Sequence, residues 1–281
     1  MSEEKWNYII GDIHGCYDEL IRLEEKIKKH AAKNNVSPFI ISVGDLIDRG
    51  NKSSQVVEHF LKGTAEHTHQ AIMGNHELLM IEALLEFSPD NFKNIKYPDW
   101  LYSYPKNYRE RRGVPGLMSW NDYRIGTRNM WVSQGGYSTL ASFNCIPYDI
   151  NSWKIPEDVL DYLVNLPFYY QNDKVVITHA LPEPEDLELF IKSVKEDFNT
   201  YSVDLRNAGH SMVWNRNMPG RNIHKEKLHI SGHTPLYRPK KSIRNNAIQI
   251  DTSCVFGGRL TAYCADSGEL MSVKANKNYL D

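Results

Sequence analysis

The stretch QAIMGNHELLM, Gln70 to Met80, sets Gly74, Asn75, His76 and Glu77 directly after the apolar run Ala71-Ile72-Met73. A short apolar run bounded by a glycine reads as a buried strand, and the glycine lets the backbone turn sharply as it leaves. Polar side chains then stand at a strand's carboxyl end. The same arrangement recurs along the chain. Trp6 to Ile10 runs into Gly11-Asp12-Ile13-His14-Gly15, and Leu20, Leu23 and Ile27 then fall at helical spacing. Pro38 opens a strand over Phe39 to Val43 that ends in Gly44-Asp45, and Ser53 to Leu61 reads as a helix. Val175 to Thr178 ends in His179, and Leu228 to Ser231 ends in Gly232-His233. Five strands thus finish in Asp, Asn or His, four of them through a glycine.

Strands alternating with helices predict an α/β fold, and in such sheets the ligand crevice lies beyond the carboxyl ends of the strands. Asp, Asn and His offer oxygen and imidazole donors without thiolates, which suits Mn, Fe, Zn or Mg. Asp12, His14, Asp45, Asn75, His179 and His233 are more donors than one ion needs. Two ions sharing a carboxylate would use them all, in the arrangement that serves in-line displacement at phosphorus. Taken singly, Asp12 reads more readily as a helix cap, Asn75 reads equally well as one, and His179 or His233 reads more readily as a core histidine. Five loops sharing one pattern favour a common site.

These residues carry a resemblance. Gly11-Asp12-Ile13-His14-Gly15, Gly44-Asp45-Leu46-Ile47-Asp48-Arg49-Gly50 and Gly74-Asn75-His76-Glu77 resemble, in order and spacing, the three signature blocks of the phosphoprotein phosphatases within the calcineurin-like metallophosphoesterases. The bacterial and phage lambda-type branch is the most similar. The likeness continues through Gly135 to Phe143, Ile155 to Pro167, His179-Ala180, Val213-Trp214-Asn215-Arg216, Gly232-His233-Thr234-Pro235 and Ile250 to Val255. It implies two packed mixed β-sheets flanked by helices, and two divalent ions, with Mn first among the candidates and Fe, Zn or Mg as alternatives. Asp12, His14 and Asp45 would hold one ion, and Asp45, Asn75, His179 and His233 the other. A hydroxide between the ions would be the nucleophile. His76 would protonate the leaving oxygen, Asp48 would orient it, and Arg49 and Arg216 would bind phosphate.

The resemblance implies a serine/threonine protein phosphatase, with phosphotyrosine as a further target. The alternative is a symmetrical dinucleoside tetraphosphate hydrolase, and a catalytically silent phospho-binding module ranks below both because no ligand and no general acid is missing. Many protein phosphatases of the family carry Arg immediately before Gly-Asn-His-Glu, where this chain has Met73. The tetraphosphate branch often lacks that Arg too. That branch, however, tends to lose the residue equivalent to Asp48 and to have Asp after the catalytic His, whereas Asp48 and Glu77 are both present here.

Composition narrows the partners. The 33 Lys+Arg balance 35 Asp+Glu, so no overall field draws nucleic acid or an anionic membrane. An RNA cap is the one nucleic-acid partner left open. Cys16, Cys145, Cys254 and Cys264 form no C-x-x-C pair, and the chain starts without a basic, apolar leader; both fit a cytoplasmic protein. One domain over residues 1–281 is expected, with an insertion at about 90–130 folding as a cap. It is rich in Tyr and Trp and carries Arg109, Arg111, Arg112, Arg124 and Arg128, one of which could replace the cation missing at Met73. Its interleaved aromatic and basic residues could also stack on a base. His59, His67 and His69 read as solvated, and the two runs around Asp266-Ser267-Gly268 as a hairpin closing a second sheet.

Overall fold

Along β1 (Lys5–Ile10) the side chains alternate between two apolar layers. Tyr8 and Ile10 enter a core shared with helices, whereas Ile9 enters a separate cluster with Ile41, Val175, Ile177 and Ile230. These isoleucines and valines come from two different sheets, so Ile9 marks the plane where sheet packs on sheet. The computed structural model describes residues 4–97, 131–196, 203–219 and 226–280.

In the first sheet, β2 (Ser37–Ser42) and β3 (His69–Ala71) run parallel to β1, and β9 (Arg259–Cys264) pairs antiparallel with both β1 and β10 (Leu270–Lys274). The second sheet comprises β4 (Tyr169–Gln171), β5 (Val175–Thr178), β6 (Leu228–Ser231), β7 (Lys240–Ser242) and β8 (Ala247–Gln249), in the order β4-β5-β6-β8-β7 with β5, β6 and β8 parallel. Two mixed sheets flanked by helices is the expected fold class. On the outer side of the first sheet, α1 (Tyr17–Lys33) buries Leu20, Leu23, Ile27 and Ala31 as one stripe, and α2 (Ser53–Ala65) buries Val56, Val57 and Phe60. α3 (Asn75–Phe87) buries its first seven residues.

Several local expectations need correction. The strand before Gly74 ends at Ala71, and Met73 leaves the ladder to donate its N–H to the Pro167 carbonyl at 2.8 Å. The Met73 side chain is fully buried in the helix-side core. The C-terminal hairpin closes the first sheet, not the second, because β9 takes the free edge of β1. His59 and His69 are not solvated: both turn inward onto the buried Glu24, and only His67 of the three is exposed. Residues 98–130 of the insertion, including its five arginines, lie outside the described residues; in its described start, Phe92 and Ile95 are buried. All four cysteines are free and buried. No described helix is long and apolar enough to cross a membrane.

Candidate active site

The parallel strands of both sheets deliver their carboxyl ends to one place. Asp12 and His14 follow β1, Asp45 follows β2, Asn75 and His76 open α3 beyond β3, and His179 and His233 follow β5 and β6. The six expected ligands are between 0 and 5% exposed. Contacts cross from sheet to sheet: the backbone N–H of His233 donates to both Asp12 carboxylate oxygens at 3.1 Å. Gly232 makes this approach possible, because a Cβ there would lie within 1.9 Å of Asp12 Oδ1. His14, Asp45, Asp48, Arg49 and His233 all hold φ between 46 and 72°, the left-handed region that side chains rarely adopt. Strain of this kind, about 1–3 kcal/mol per residue, collects where surrounding structure holds a functional geometry in place.

The hydrogen bonds fix which imidazole nitrogens carry lone pairs. His14 Nδ1 faces the Ile47 carbonyl at 2.8 Å and His179 Nδ1 faces the Val43 carbonyl at 2.8 Å, so each must donate N–H there. Their Nε2 lone pairs then point at oxygen acceptors: His14 at Asp45 Oδ2, 3.4 Å away, and His179 at Asn75 Oδ1 and Asp45 Oδ1, 2.9 and 3.4 Å away. Lone pairs facing carboxylate and amide oxygens at these distances are the arrangement a cation between them satisfies. Asp12, Asp45 and His179 form one such group, and His14 and Asp45 form another in which His76, not an expected ligand and held at Nδ1 by Asp48, takes the third place; in each the donor atoms lie within 4.8 Å of one another. The residues therefore fit a pair of divalent ions.

Electrostatics separates His76 from the other histidines. Burial lowers His14, helped by the Arg49 charge, and lowers His179 and His233, the last to about 3. All three are held neutral, the form in which an imidazole can bind a metal ion. Burial would lower His76 as well, but the Asp45 charge and the Asp48 hydrogen bond outweigh it and raise His76. His76 Nδ1 lies 2.6 Å from Asp48 Oδ2, and Asp48 is in turn fixed by Thr139 Oγ1 at 2.6 Å and Trp131 Nε1 at 3.1 Å. Environments that push neighbouring titratable groups apart mark acid and base roles. Arg49 points its guanidinium at both His14 Nε2 and His76 Nε2, at 2.5 and 2.8 Å, beneath the half-exposed ring of Phe256. Arg216 is exposed at the rim, and its charge bears on His233 and Asp251.

Four supporting residues had no role assigned from sequence, although Glu77 and Asp251 lie in stretches that carry the resemblance. Besides Thr139 and Trp131, Asp251 follows β8 as a sixth strand end; burial and the Asp45 charge push it up to about 6, and it helps raise Asp12. The run Ala247-Ile248-Gln249-Ile250-Asp251 carries the same apolar-then-acidic signal as the other strand ends, without a glycine. Glu77 is fully buried, and its carboxylate accepts from the backbone N–H groups of Gly74, Asp45, Leu46 and Ile47 at 2.8–3.3 Å. It ties the Asp45 loop to the start of α3. Glu77→Ala leaves those N–H groups buried without an acceptor and is expected to destabilise the fold by about 3 kcal/mol. The check is a lower urea midpoint at unchanged slope.

The calcineurin-like phosphoesterase profile matches residues 8–246, a span that takes in the strand ends from Asp12 to His233 and stops short of Asp251. The chain belongs to the calcineurin-like phosphoesterase family. It is a metallophosphoesterase, a hydrolase acting on phosphate esters. Among curated relatives, it is 27% identical over 283 residues to the asymmetrical bis(5'-nucleosyl)-tetraphosphatase PrpE of Halalkalibacterium halodurans, covering 96% of this chain and 94% of that protein. It is 23% identical to the symmetrical bis(5'-nucleosyl)-tetraphosphatase of Pasteurella multocida, covering 98% of each. Among solved structures, a hypothetical protein from Pyrococcus horikoshii OT3 shares the fold with a TM-score of 0.50 at 10% identity, over 97% of this chain and 88% of the other.

Proposed function

We propose that this phosphoesterase cleaves bis(5'-nucleosyl) tetraphosphates, in preference to the phosphoproteins that the signature blocks alone suggest. The end-to-end similarity to tetraphosphatases carries this reading. Met73 agrees with it: the position that holds Arg in many protein phosphatases is core here, so that strand end supplies no cation for a phosphorylated side chain. The asymmetrical relative is the more similar of the two, which favours an off-centre cut over the symmetrical one expected from sequence.

Asp12, His14 and Asp45 would hold one divalent ion, and Asp45, Asn75, His179 and His233 a second, Asp45 bridging. When bound, the pair supplies an acidified water and positive charge for the phosphate oxygens. The chain's own residues do the rest. Asp48 fixes His76 Nδ1, so that Nε2 presents its proton to the leaving phosphate oxygen. Arg49 swings its planar fork from the imidazoles to phosphate oxygens, and Arg216 meets the charge of the polyphosphate at the rim. The intact pairing of Asp48 with His76 also favours a second reading, a serine/threonine protein phosphatase.

Incubation with diadenosine tetraphosphate and Mn(II), followed by nucleotide chromatography, tests the proposal. AMP and ATP in equal amounts are expected. Two ADP would keep the substrate class and move the cut to the centre. Uncleaved dinucleotide, alongside rapid phosphate release from phosphoserine or phosphothreonine peptides, would overturn the proposal in favour of the second reading.

A further inference from the structure

Away from the crevice, α1, α2 and β3 bring Glu24, His59 and His69 together. Glu24 is only 1% exposed, yet its Oε1 lies 2.6 Å from His59 Nε2 and 3.2 Å from His69 Nε2. All three donor atoms lie within 4.8 Å of one another.

The outer side of His69 is built as well. His69 Nδ1 lies 2.8 Å from Thr68 Oγ1, and the Thr68 hydroxyl reaches the Gly63 carbonyl at 3.2 Å. With the hydroxyl proton directed to Gly63, the ring donates Nδ1–H to Thr68 and turns its Nε2 lone pair onto Glu24, the support that metal-binding imidazoles use. Gly63 makes the room, because a Cβ there would lie 2.2 Å from His69 Nδ1. An open cavity of about 550 Å³, lined by His67, His69, Asp158 and Tyr162 among others, gives solvent a route to this ring.

We propose that Glu24, His59 and His69 form a third cation site, distinct from the two-ion centre, that takes Zn(II) with solvent completing its coordination. Two imidazoles and a carboxylate are a donor set that zinc uses, and no thiolate is present to favour softer ions. Zinc–ligand lengths of 2.0–2.2 Å require ligand atoms about 3.3 Å apart in a tetrahedron. The His69 contact has that length. The His59 contact must open by roughly 0.7 Å to reach the same tetrahedral edge, and this side chain, 22% exposed, has room to move. An ion here would pin both helices to β3, the strand that leads to Asn75 and His76. The competing state is a cluster in which a proton, rather than an ion, joins the carboxylate to each ring.

The test counts metal. The full chain is stripped with chelator, loaded with Mn(II), dialysed against Zn(II) and washed, and total metal per chain is measured by mass spectrometry. The parent is expected to hold three ions and His59→Gln two, with kcat/KM in added Mn(II) unchanged within twofold. His69→Gln is the second variant and should lose the same equivalent. On the parent itself, Zn(II) added to the Mn(II)-loaded chain should raise Tm by several degrees, a gain absent from His59→Gln. Equal metal content in parent and both variants, or a parent that holds only two ions with no gain in Tm, overturns the site.

Discussion

His76→Asn lowers kcat by a factor of about 10² to 10⁴, the span for a positioned general acid, while metal content per chain stays at the parental value. His76 is the one histidine of the crevice that its surroundings push toward the protonated form, through Asp45 and Asp48. The other three are held neutral. A proton donor must keep its proton at working pH, so activity of the parent falls as pH rises through the raised His76 pKa. The Asn variant has no such alkaline limb. Its amide still fits between Asp48 and the Asp45 loop, because the backbone N–H of residue 76 holds Asp45 Oδ1 at 3.1 Å whichever side chain is present. Metal content by mass spectrometry and a pH profile of kcat check both halves. Parental kcat in the variant would remove His76 from the chemistry.

Asp45→Asn is the second large effect: loss of at least one ion, with kcat/KM down on the order of 10³-fold as several kcal/mol of charge stabilisation disappear. Asp45 is the residue common to the two candidate donor groups of the crevice. Burial would raise its carboxyl, but the charges of His76 and Arg49 among its neighbours outweigh burial and keep it far below the usual carboxylate range. An amide in its place keeps the shape and removes the bridging charge. The backbone N–H of residue 45 still donates to Glu77 Oε2 at 2.9 Å, so the loop is expected to keep its path, checked by an unchanged circular dichroism spectrum. A variant that retains both ions would contradict the bridging role.

The parts of this site that sit at strand ends were legible, because an apolar run followed by glycine and a short polar residue states both an address and a chemistry. Residues whose role is to hold the others left a weaker trace. Glu77 was legible as the last residue of the Gly74-Asn75-His76-Glu77 block but not as a loop anchor, since its backbone N–H partners carry no sequence signature. Trp131 and Thr139 reach Asp48 from more than eighty residues away, and no local pattern announces that. His59 and His69 read as solvated because their partner, Glu24, lies on another helix. The two runs around Asp266-Ser267-Gly268 predicted the β9–β10 hairpin but placed it in the wrong sheet, because its place depends on the non-local pairing of Tyr8, Ile9 and Ile10 with Cys264, Tyr263 and Ala262. The left-handed backbone at His14, Asp45, Asp48, Arg49 and His233 is also invisible in sequence, since none of them is glycine. Substrate choice was weighed on Met73 as a crevice residue, and the structure makes it a packing residue.

The most direct measurement is a titration of the metal-free chain with Mn(II), followed in parallel by electron paramagnetic resonance and by hydrolysis of diadenosine tetraphosphate. Two ions bridged by Asp45 predict a spin-coupled dimanganese signal that grows together with activity; an ion at Glu24, His59 and His69 stands alone and contributes only an uncoupled signal. Full activity reached with uncoupled Mn(II) alone, or hydrolysis that needs no metal, would contradict a two-ion centre built from these strand ends.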